Sequence, residues 1–397
     1  MSGPRMRRFR RSFPHAIMLL LAGCAAVEPP APAPASRGAP LKVAAIQPKA
    51  RLVPSGIGVE EALARAETSL EELCGLIERA VAEGARAVAL PEDTLGLGLW
   101  EAAHPERAAE LLPRACALML QRLGRAAARH RIHVVCCNDD VGPSGRTRNV
   151  AFLIGPDGRE VRRYVKVNMP LHEMDKERGR GFPVFETAEL GGVGMLICYD
   201  MVFPEAARAL ALGGADVMFH PTLGGAAIGD ADVSRAAFRT RAVENFVWIV
   251  VSQRGSGSMI ISPQGKIVAE ASGPDSLAIA EIDPWGGREG GDAFNRQDDM
   301  RARLFRERAP EAYGILTDPD PPALGKAPEA TTVEEAVRIA RAARTIGEIR
   351  FREADRLRAQ GRREEAVAAY EQLRRDFPRT WIDRVSQRRL VELGSKP

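Results

Sequence analysis

One cysteine near the middle of the chain follows an apolar strand and precedes a helix-forming run. The apolar residues Met195 to Ile197 lead into Cys198, and the helix-forming run spans Ala206 to Leu212. A strand-to-helix elbow of this kind exposes the sulfur at the end of a sheet and aims the backbone N–H of the next residue, Tyr199, at the same point. A thiolate nucleophile and the oxyanion created by its attack both need this arrangement. The pattern predicts nucleophilic catalysis by Cys198.

Two charged residues in other apolar segments have the chemistry to activate this cysteine. Glu92 follows the apolar run Ala87 to Leu90, and Lys166 lies in the alternating segment Tyr164 to Asn168. A thiol with a pKa of about 8.5 needs a base that removes its proton and a cation that holds the oxyanion. The carboxylate of Glu92 could remove the proton, and the ammonium of Lys166 could hold the oxyanion.

Each of these residues also has an ordinary structural interpretation when it is taken alone. A cysteine in a strand is usually a small buried hydrophobic residue, and we interpret Cys136 and Cys137 in this way. A glutamate at a strand end is usually solvated, and a lysine at a strand edge is usually exposed. The combination of Glu92, Lys166 and Cys198 is what favours a catalytic site.

The elements that must position these residues alternate between short apolar runs and longer amphipathic ones from Leu41 to about Leu316. This alternation is typical of a layered α/β fold. Helices are predicted over Val59 to Val81 and Ala108 to Ala128. The predicted strands are Val43 to Ile46, Ala85 to Leu90, Ile132 to Cys137, Val150 to Ile154, Val161 to Val167, Met195 to Cys198, Val217 to Phe219, Phe246 to Val251, Met259 to Ile261 and Leu277 to Ile282.

The ordered series of motifs resembles the nitrilase superfamily of carbon-nitrogen hydrolases over most of residues 42–313. A Glu-Lys-Cys triad stands in order in Leu90-Pro91-Glu92, Tyr164-Val165-Lys166 and Ile197-Cys198-Tyr199-Asp200. Further motifs follow the same order: Arg148-Asn149-Val150-Ala151, Pro183-Val184-Phe185-Glu186-Thr187, His220-Pro221-Thr222, Arg241-Ala242-Val243-Glu244-Asn245, Ser262-Pro263-Gln264-Gly265 and Arg308-Ala309-Pro310. The resemblance implies an αββα sandwich that dimerises into αββα-αββα, and an enzyme that requires no metal or organic cofactor.

The resemblance also implies roles for the site residues. Glu92 takes the proton of Cys198, and the thiolate attacks an amide carbonyl or a nitrile carbon. Lys166 and the N–H of Tyr199 then stabilise the tetrahedral anion. A second glutamate usually assists in this superfamily, and Glu173 stands at the matching place; a solvated loop carboxylate is the alternative.

Three other residues of the motifs receive structural interpretations. His220 is expected to be a structural residue near the pocket. Asn149 and Arg241 are expected to brace the fold or a dimer contact without touching substrate.

The first 23 residues have the three parts of a bacterial export signal. Five arginines precede the apolar run Ala16 to Ala22, which is too short for a stable membrane span. Leu21-Ala22-Gly23-Cys24 resembles a lipobox, which implies cleavage before Cys24, acylation of that cysteine, and a membrane-anchored protein facing the periplasm or exterior. A secreted protein cut near Ala25-Ala26 is the alternative. Residues 24–40, rich in Pro and Ala, are expected to form an extended tether.

The C-terminal part differs in composition from the rest. We predict a hydrolase domain at 41–316, a linker at 317–331 that contains the proline-rich break Pro319 to Pro328, and a helical segment at 332–397, opened by a capping box at Thr332. Its residue spacing resembles one tetratricopeptide repeat, with Gly361 in the turn. One repeat cannot bury its apolar face alone, so it should dock on the main domain, a second subunit or a protein partner, with residues 332–393 as the contact region.

The functional prediction is a hydrolase that cleaves an amide, a nitrile or a ureido C–N bond through a cysteine thioester. An N-acyltransferase with the same triad, and a non-catalytic envelope scaffold that recruits partners through its tail, remain as alternatives. The formal charge of +4 falls to −1 once the five arginines of the signal are removed. The basic composition therefore gives no support for nucleic-acid binding, and a small-molecule substrate is expected.

Overall fold

The structure is a computed structural model that describes residues 39–224, 231–291, 296–297, 299–324, 333–378 and 380–394. The predicted signal peptide, the acylation at Cys24 and most of the tether lie outside these residues, as does Thr332 of the predicted capping box. Within the described ranges, no helix is both long enough and apolar enough to span a bilayer.

The regular elements alternate along the chain as the sequence predicts. The strands are β1 (Leu41–Gln47), β2 (Ala85–Ala89), β3 (His133–Val141), β4 (Thr147–Ile154), β5 (Glu160–Val165), β6 (Val184–Thr187), β7 (Gly191–Met195), β8 (Val217–Thr222), β9 (Trp248–Gln253), β10 (Met259–Ile261), β11 (Ile267–Glu270), β12 (Ser276–Ile282), β13 (Gly290–Gly291) and β14 (Arg296–Gln297). The α-helices are α1 (Val59–Ala82), α2 (Gly98–Ala103), α3 (Ala108–His130), α4 (Pro204–Leu212), α5 (Ala231–Asn245), α6 (Met300–Glu307), α7 (Val333–Ala342), α8 (Glu348–Ala359), α9 (Arg363–Asp376) and α10 (Trp381–Glu392).

Two mixed six-stranded sheets organise the hydrolase part. Their spatial orders are β12-β1-β2-β3-β4-β5 and β11-β10-β9-β8-β7-β6. In each sheet three neighbouring strands are parallel, β1 to β3 in the first and β7 to β9 in the second, and the outer strands pair antiparallel. Glu92 and Cys198 lie beyond the carboxyl ends of the parallel strands β2 and β7, and Lys166 follows the antiparallel strand β5.

Strand β1 shows how the layers stack. Ala44 and Ile46 lie in the core that α1 and α3 form against the first sheet, whereas Val43 and Ala45 lie in the core between the two sheets. Successive side chains of a strand point to opposite faces, so a strand that is buried on both faces reads as a continuous apolar run. A third core lies between the second sheet and helices α4 and α5. The expected αββα sandwich is confirmed.

Two of the strand predictions differ from the structure near the site. The strand predicted to reach Cys198 ends at Met195, because the backbone turns into a 3-10 turn at Cys198–Val202. The strand predicted to reach Val167 ends at Val165. Strands β6 and β11 were not predicted, because short, half-buried edge strands lack a clear apolar alternation.

The C-terminal segment is all-helical, as predicted. Helix α7 continues through a π-helical turn, Ala343–Gly347, into α8, and α9 and α10 pack on α8 around the buried residues Ala354 and Tyr370. Gly361, with φ of +74°, forms the turn between α8 and α9. Helix α7 packs against the 3-10 turn Leu171–Glu173, so the segment docks on the hydrolase part of the same chain.

Candidate active site

Glu92 lies just past the end of β2, where the chain leaves the first sheet. Its carboxylate is buried and accepts three hydrogen bonds: Oε1 from the Asn149 amide at 2.8 Å and from Lys166 Nζ at 3.1 Å, and Oε2 from the backbone N–H of Leu223 at 3.0 Å. The donors come from three separate segments of the chain. The carboxylate is therefore held in one orientation and is not the solvated strand end that Glu92 alone would suggest.

Lys166 follows directly after β5 and lies between two carboxylates. Its ammonium is 3.1 Å from Glu92 Oε1 and 2.7 Å from Glu173 Oε2, and the side chain is only 1% exposed. Burial by itself opposes the ammonium charge, but the carboxylates of Glu173 and Glu92 outweigh it and raise the pKa of Lys166 well above its ordinary value. Lys166 is thus a buried, fully charged cation.

Glu173 ends the 3-10 turn Leu171–Glu173, seven residues after Lys166. It is buried, although the alternative interpretation was a solvated loop carboxylate. Burial would raise the pKa of Glu173, but the neighbouring Lys166 and Lys176 lower it well below the ordinary range. Glu173 is an anion that completes a Glu92–Lys166–Glu173 cluster at hydrogen-bond distances.

Cys198 begins the 3-10 turn Cys198–Val202 and has a φ of +43°, in the left-handed region. For a residue with a side chain this backbone conformation costs on the order of 1–3 kcal/mol and persists only where the surroundings enforce it. The first hydrogen bond of the turn runs from Asp200 N–H to Ile197 O, so the turn itself does not use the N–H of Tyr199. A sharp elbow with a free donor beside the sulfur is the geometry expected from the sequence.

The thiol of Cys198 is half-buried. Burial raises its pKa to about 12, and the Glu92 carboxylate adds to the shift, while Lys166 and a hydrogen bond with the Thr222 side chain act in the opposite direction. The thiol is therefore neutral at neutral pH, and the negative charge of Glu92 acts on it directly.

Asp200 is the site residue that sequence reasoning missed. Its side chain is fully buried and accepts hydrogen bonds from the hydroxyl of Tyr164 at 2.7 Å, the N–H of Ile197 at 3.0 Å, and the N–H and amide of Asn168 at 2.8 and 3.1 Å. These bonds join the segment that carries Lys166 to the turn that carries Cys198. The signal was an aspartate two residues after the nucleophile, in a segment otherwise apolar.

Three further residues of the motifs make specific contacts. Asn149 donates to Glu92 and so braces its carboxylate. His220 is buried, with Nδ1 at 3.1 Å from Leu196 O, and burial lowers its pKa to about 4, so it stays neutral. Arg241 pairs with Glu244 on α5 at 3.3 Å. Within the described part of the chain, no three His, Cys, Asp or Glu side chains are grouped as a metal site requires.

The fold and this site define a known class of enzyme. The chain belongs to the carbon-nitrogen hydrolase family, whose sequence model matches residues 42–289. Enzymes of this class cleave C–N bonds other than peptide bonds. The match does not extend to the C-terminal helices α7 to α10.

Among characterised proteins, the chain is similar to the deaminated glutathione amidase of Synechocystis sp., with 32% identity over 54% of this chain and 86% of that protein. It is 27% identical to the omega-amidase of Xenopus tropicalis over 54% of this chain and 83% of that protein. A mutant amidase from Nesterenkonia AN1 has the same fold: the TM-score is 0.55 at 22% identity, with 71% of this chain and 99% of that one covered.

Proposed function

We propose that the chain hydrolyses the C–N bond of a small amide through a thioester on Cys198. The observation that supports this most strongly is the buried ammonium of Lys166, held 3.1 Å from Glu92 and 2.7 Å from Glu173 beside the Cys198 elbow. Burying three charges is costly because each loses its hydration, and their mutual attraction offsets only part of that cost, so such a cluster favours a functional role. The cluster supplies a base and an oxyanion-binding cation next to a nucleophile.

In the first half of the proposed reaction, Glu92 takes the thiol proton as the sulfur attacks the amide carbonyl carbon. The carbonyl oxygen becomes an oxyanion that Lys166 Nζ and the N–H of Tyr199 stabilise. The C–N bond then breaks, and the nitrogen leaves as ammonia or an amine with the proton that Glu92 held. Cys198 is left as a thioester.

In the second half, a water molecule gives a proton to Glu92 and attacks the thioester carbonyl. The C–S bond breaks, the acid is released, and the sulfur recovers the proton from Glu92. Glu173 keeps Lys166 charged through both halves and holds its ammonium in place. We favour an amide over a nitrile or a ureido compound as the substrate, because the two relatives described above are both amidases.

The test is intact-protein mass spectrometry of the purified chain with a panel of amides, nitriles and ureido compounds. We expect an acyl adduct on Cys198 with amides, absent in Cys198→Ala, and its mass identifies the acyl group. Glu92→Gln should not form it at a comparable rate. A wild-type chain that no substrate of the panel acylates would support the scaffold interpretation instead, whereas acyl transfer to an added amine in preference to water would support the acyltransferase.

We also infer that the protein is exported and anchored by a lipid on Cys24, as the lipobox-like sequence suggests. Expression in a bacterium should yield a membrane-bound protein whose N-terminal peptide begins at Cys24 with the added mass of acyl chains. Cys24→Ser should abolish both. A soluble wild-type protein cut near Ala25 would reject the anchor and leave the hydrolase proposal untouched.

A further inference from the structure

A cavity of about 400 Å³ lies between the C-terminal helices and the catalytic cluster. His172 and Glu173 line one wall, and α2 with its first residue Gly98 lines another. Arg341 and Arg344 line the wall that the C-terminal segment contributes. Glu173 is the member of the charged cluster that lines this cavity, and it contacts Lys166 directly.

The C-terminal segment is fixed to this place by specific contacts. Helix α7 packs on the turn Leu171–Glu173, and the π-helical turn Ala343–Gly347 packs on α2. Arg341 pairs with Asp175 at 2.7 Å. Single π-helical turns within α-helices occur frequently at functional sites, since the extra residue redirects side chains. Here the turn carries Arg344 toward the cavity.

The guanidinium of Arg344 reaches the first turn of α2. A Cβ atom on Gly98 would lie 3.2 Å from Arg344 Nη2 and 3.1 Å from Asp93 Oδ2, so the glycine leaves room for this close approach. The side chain of Arg344 is half-buried and lines the cavity. Among the residues that the structure describes, it makes no hydrogen bond or ion pair.

The carboxylates near Arg344 are already bound to other groups. Glu173 is held by Lys166 at 2.7 Å. Asp93 accepts from Arg254 at 3.2 Å and from the N–H of Gly98 at 3.1 Å. The guanidinium of Arg344 therefore lies near Glu173 and Asp93 but forms no ion pair with either.

The other cations of the cavity have partners. Lys176 pairs with Asp139, and Arg341 pairs with Asp175. Arg146 donates to the backbone carbonyl of Asp175. Arg344 differs from all three, and a half-buried guanidinium without a partner is well suited to a bidentate contact with a carboxylate.

We propose that Arg344 binds an anionic group of the substrate, so that the enzyme acts on amides whose acyl part also carries a carboxylate. The C-terminal segment then completes the active site instead of serving only as a docking module. This inference rests on the proposed function, because it assigns the substrate class of the same site. Arg344 would then determine substrate specificity, although it lies beyond residues 42–289, which the family model matches.

The test compares two amides of equal chain length, succinamate with a carboxylate and butyramide without one. The wild-type enzyme should have the higher kcat/KM with succinamate. Arg344→Ala should raise the KM for succinamate on the order of 10- to 100-fold, as expected for the loss of a hydrogen-bonded charge, with a much smaller change for butyramide. Arg344→Lys should recover part of the loss, since lysine keeps the charge but not the fork. Arg338→Ala, which removes an exposed arginine of the preceding helix α7, should match the wild type.

Calorimetric titration of Cys198→Ala with both amides gives a readout that does not depend on turnover. Succinamate should bind more tightly than butyramide, and adding Arg344→Ala should remove the difference. Equal affinities in Cys198→Ala, or equal losses for both amides in Arg344→Ala, would overturn the role of Arg344. Failure of every amide to acylate wild-type Cys198 would instead overturn the proposed function, while the titration still decides whether Arg344 binds the carboxylate.

Discussion

The hydroxyl of Tyr164 donates a hydrogen bond of 2.7 Å to the buried carboxylate of Asp200. Tyr164 precedes Lys166 by two residues and Asp200 follows Cys198 by two, so this bond fixes the distance between the segments that carry the cation and the nucleophile. It crosses from the first sheet to the second. The alignment of the site therefore depends on a contact between two residues that take no part in the proposed chemistry.

The first prediction concerns that contact. Asp200→Asn should destabilise the fold by about 1–3 kcal/mol and lower kcat, because the new amide places donors against the donors that Asp200 satisfies. Tyr164→Phe removes a single bond and should cost only about 0.5–1.5 kcal/mol. Urea unfolding of both variants measures the difference. Equal stability of Asp200→Asn and the wild type would show that the contact does not hold the elbow.

The second prediction concerns the base. In Glu92→Gln, the rate of amide hydrolysis at pH 7 should fall by roughly 10²- to 10⁴-fold, as for the loss of a general base. The residual rate should then rise with pH, by up to about tenfold per pH unit, because only the ionised thiol reacts and burial still raises its pKa after the charge of Glu92 is lost. The measurement is kcat/KM from pH 6 to 9, with Cys198→Ala as the background. A residual rate independent of pH would exclude Glu92 as the base.

The third prediction concerns the alkaline limit of activity. The carboxylate of Glu173 helps to raise the pKa of Lys166, and burial works against it. Because its pKa is raised, the Lys166 side chain stays charged through neutral pH. It loses its proton only as the pH rises through that pKa. In Glu173→Gln the pKa of Lys166 should fall, so kcat/KM should decline at a lower pH than in the wild type.

The matched control for that experiment is Glu177→Gln. Glu177 lies in the same loop, but its partner is Ser144 and not Lys166. Its pH profile should overlay the wild-type profile. Identical alkaline limbs in Glu173→Gln and the wild type would mean that Glu173 does not support the charge of Lys166.

The fourth prediction concerns the C-terminal helices. A chain that ends at Leu324 lacks α7 and the ion pair of Arg341 with Asp175, which cover the turn Leu171–Glu173. Amide hydrogen exchange in residues 171–176 should become faster, because fewer contacts protect the turn. Exchange in the central strand β1 should not change. Unaltered exchange at 171–176 would show that the tail does not stabilise the segment that bears Glu173.

Several site residues were predictable because they stand at chemically unusual places in local patterns. Glu92, Lys166 and Cys198 each follow a strand segment, where residues of these types are uncommon. Their order along the chain also matches a known family. Glu173 was also placed, through the same resemblance, because the superfamily usually has an assisting glutamate at the matching place. The layered α/β class followed from the alternation of apolar runs and amphipathic helices.

The contacts between the site residues were not predictable, since the two partners of each contact lie far apart in sequence. Asn149 and Glu92 are 57 residues apart, and Asp200 and Tyr164 are 36 apart. The apolar neighbours of Asp200 were the one local signal, and they do not show which donors would meet its carboxylate, which accepts four hydrogen bonds. Arg344 is one of many arginines in a charged tail, and only the docking of α7 brings it near Glu173.

The amino-acid sequence alone determined which side chains have reactive chemistry and which segments become strands and helices, because both depend on residue type and short-range periodicity. The tertiary structure decided the rest: the left-handed turn at Cys198, the burial that raises its pKa to about 12, and the convergence of Glu92, Lys166 and Glu173 on one point. These properties arise when the carboxyl ends of strands from two sheets meet and exclude water. The local sequence does not specify which distant segments will meet.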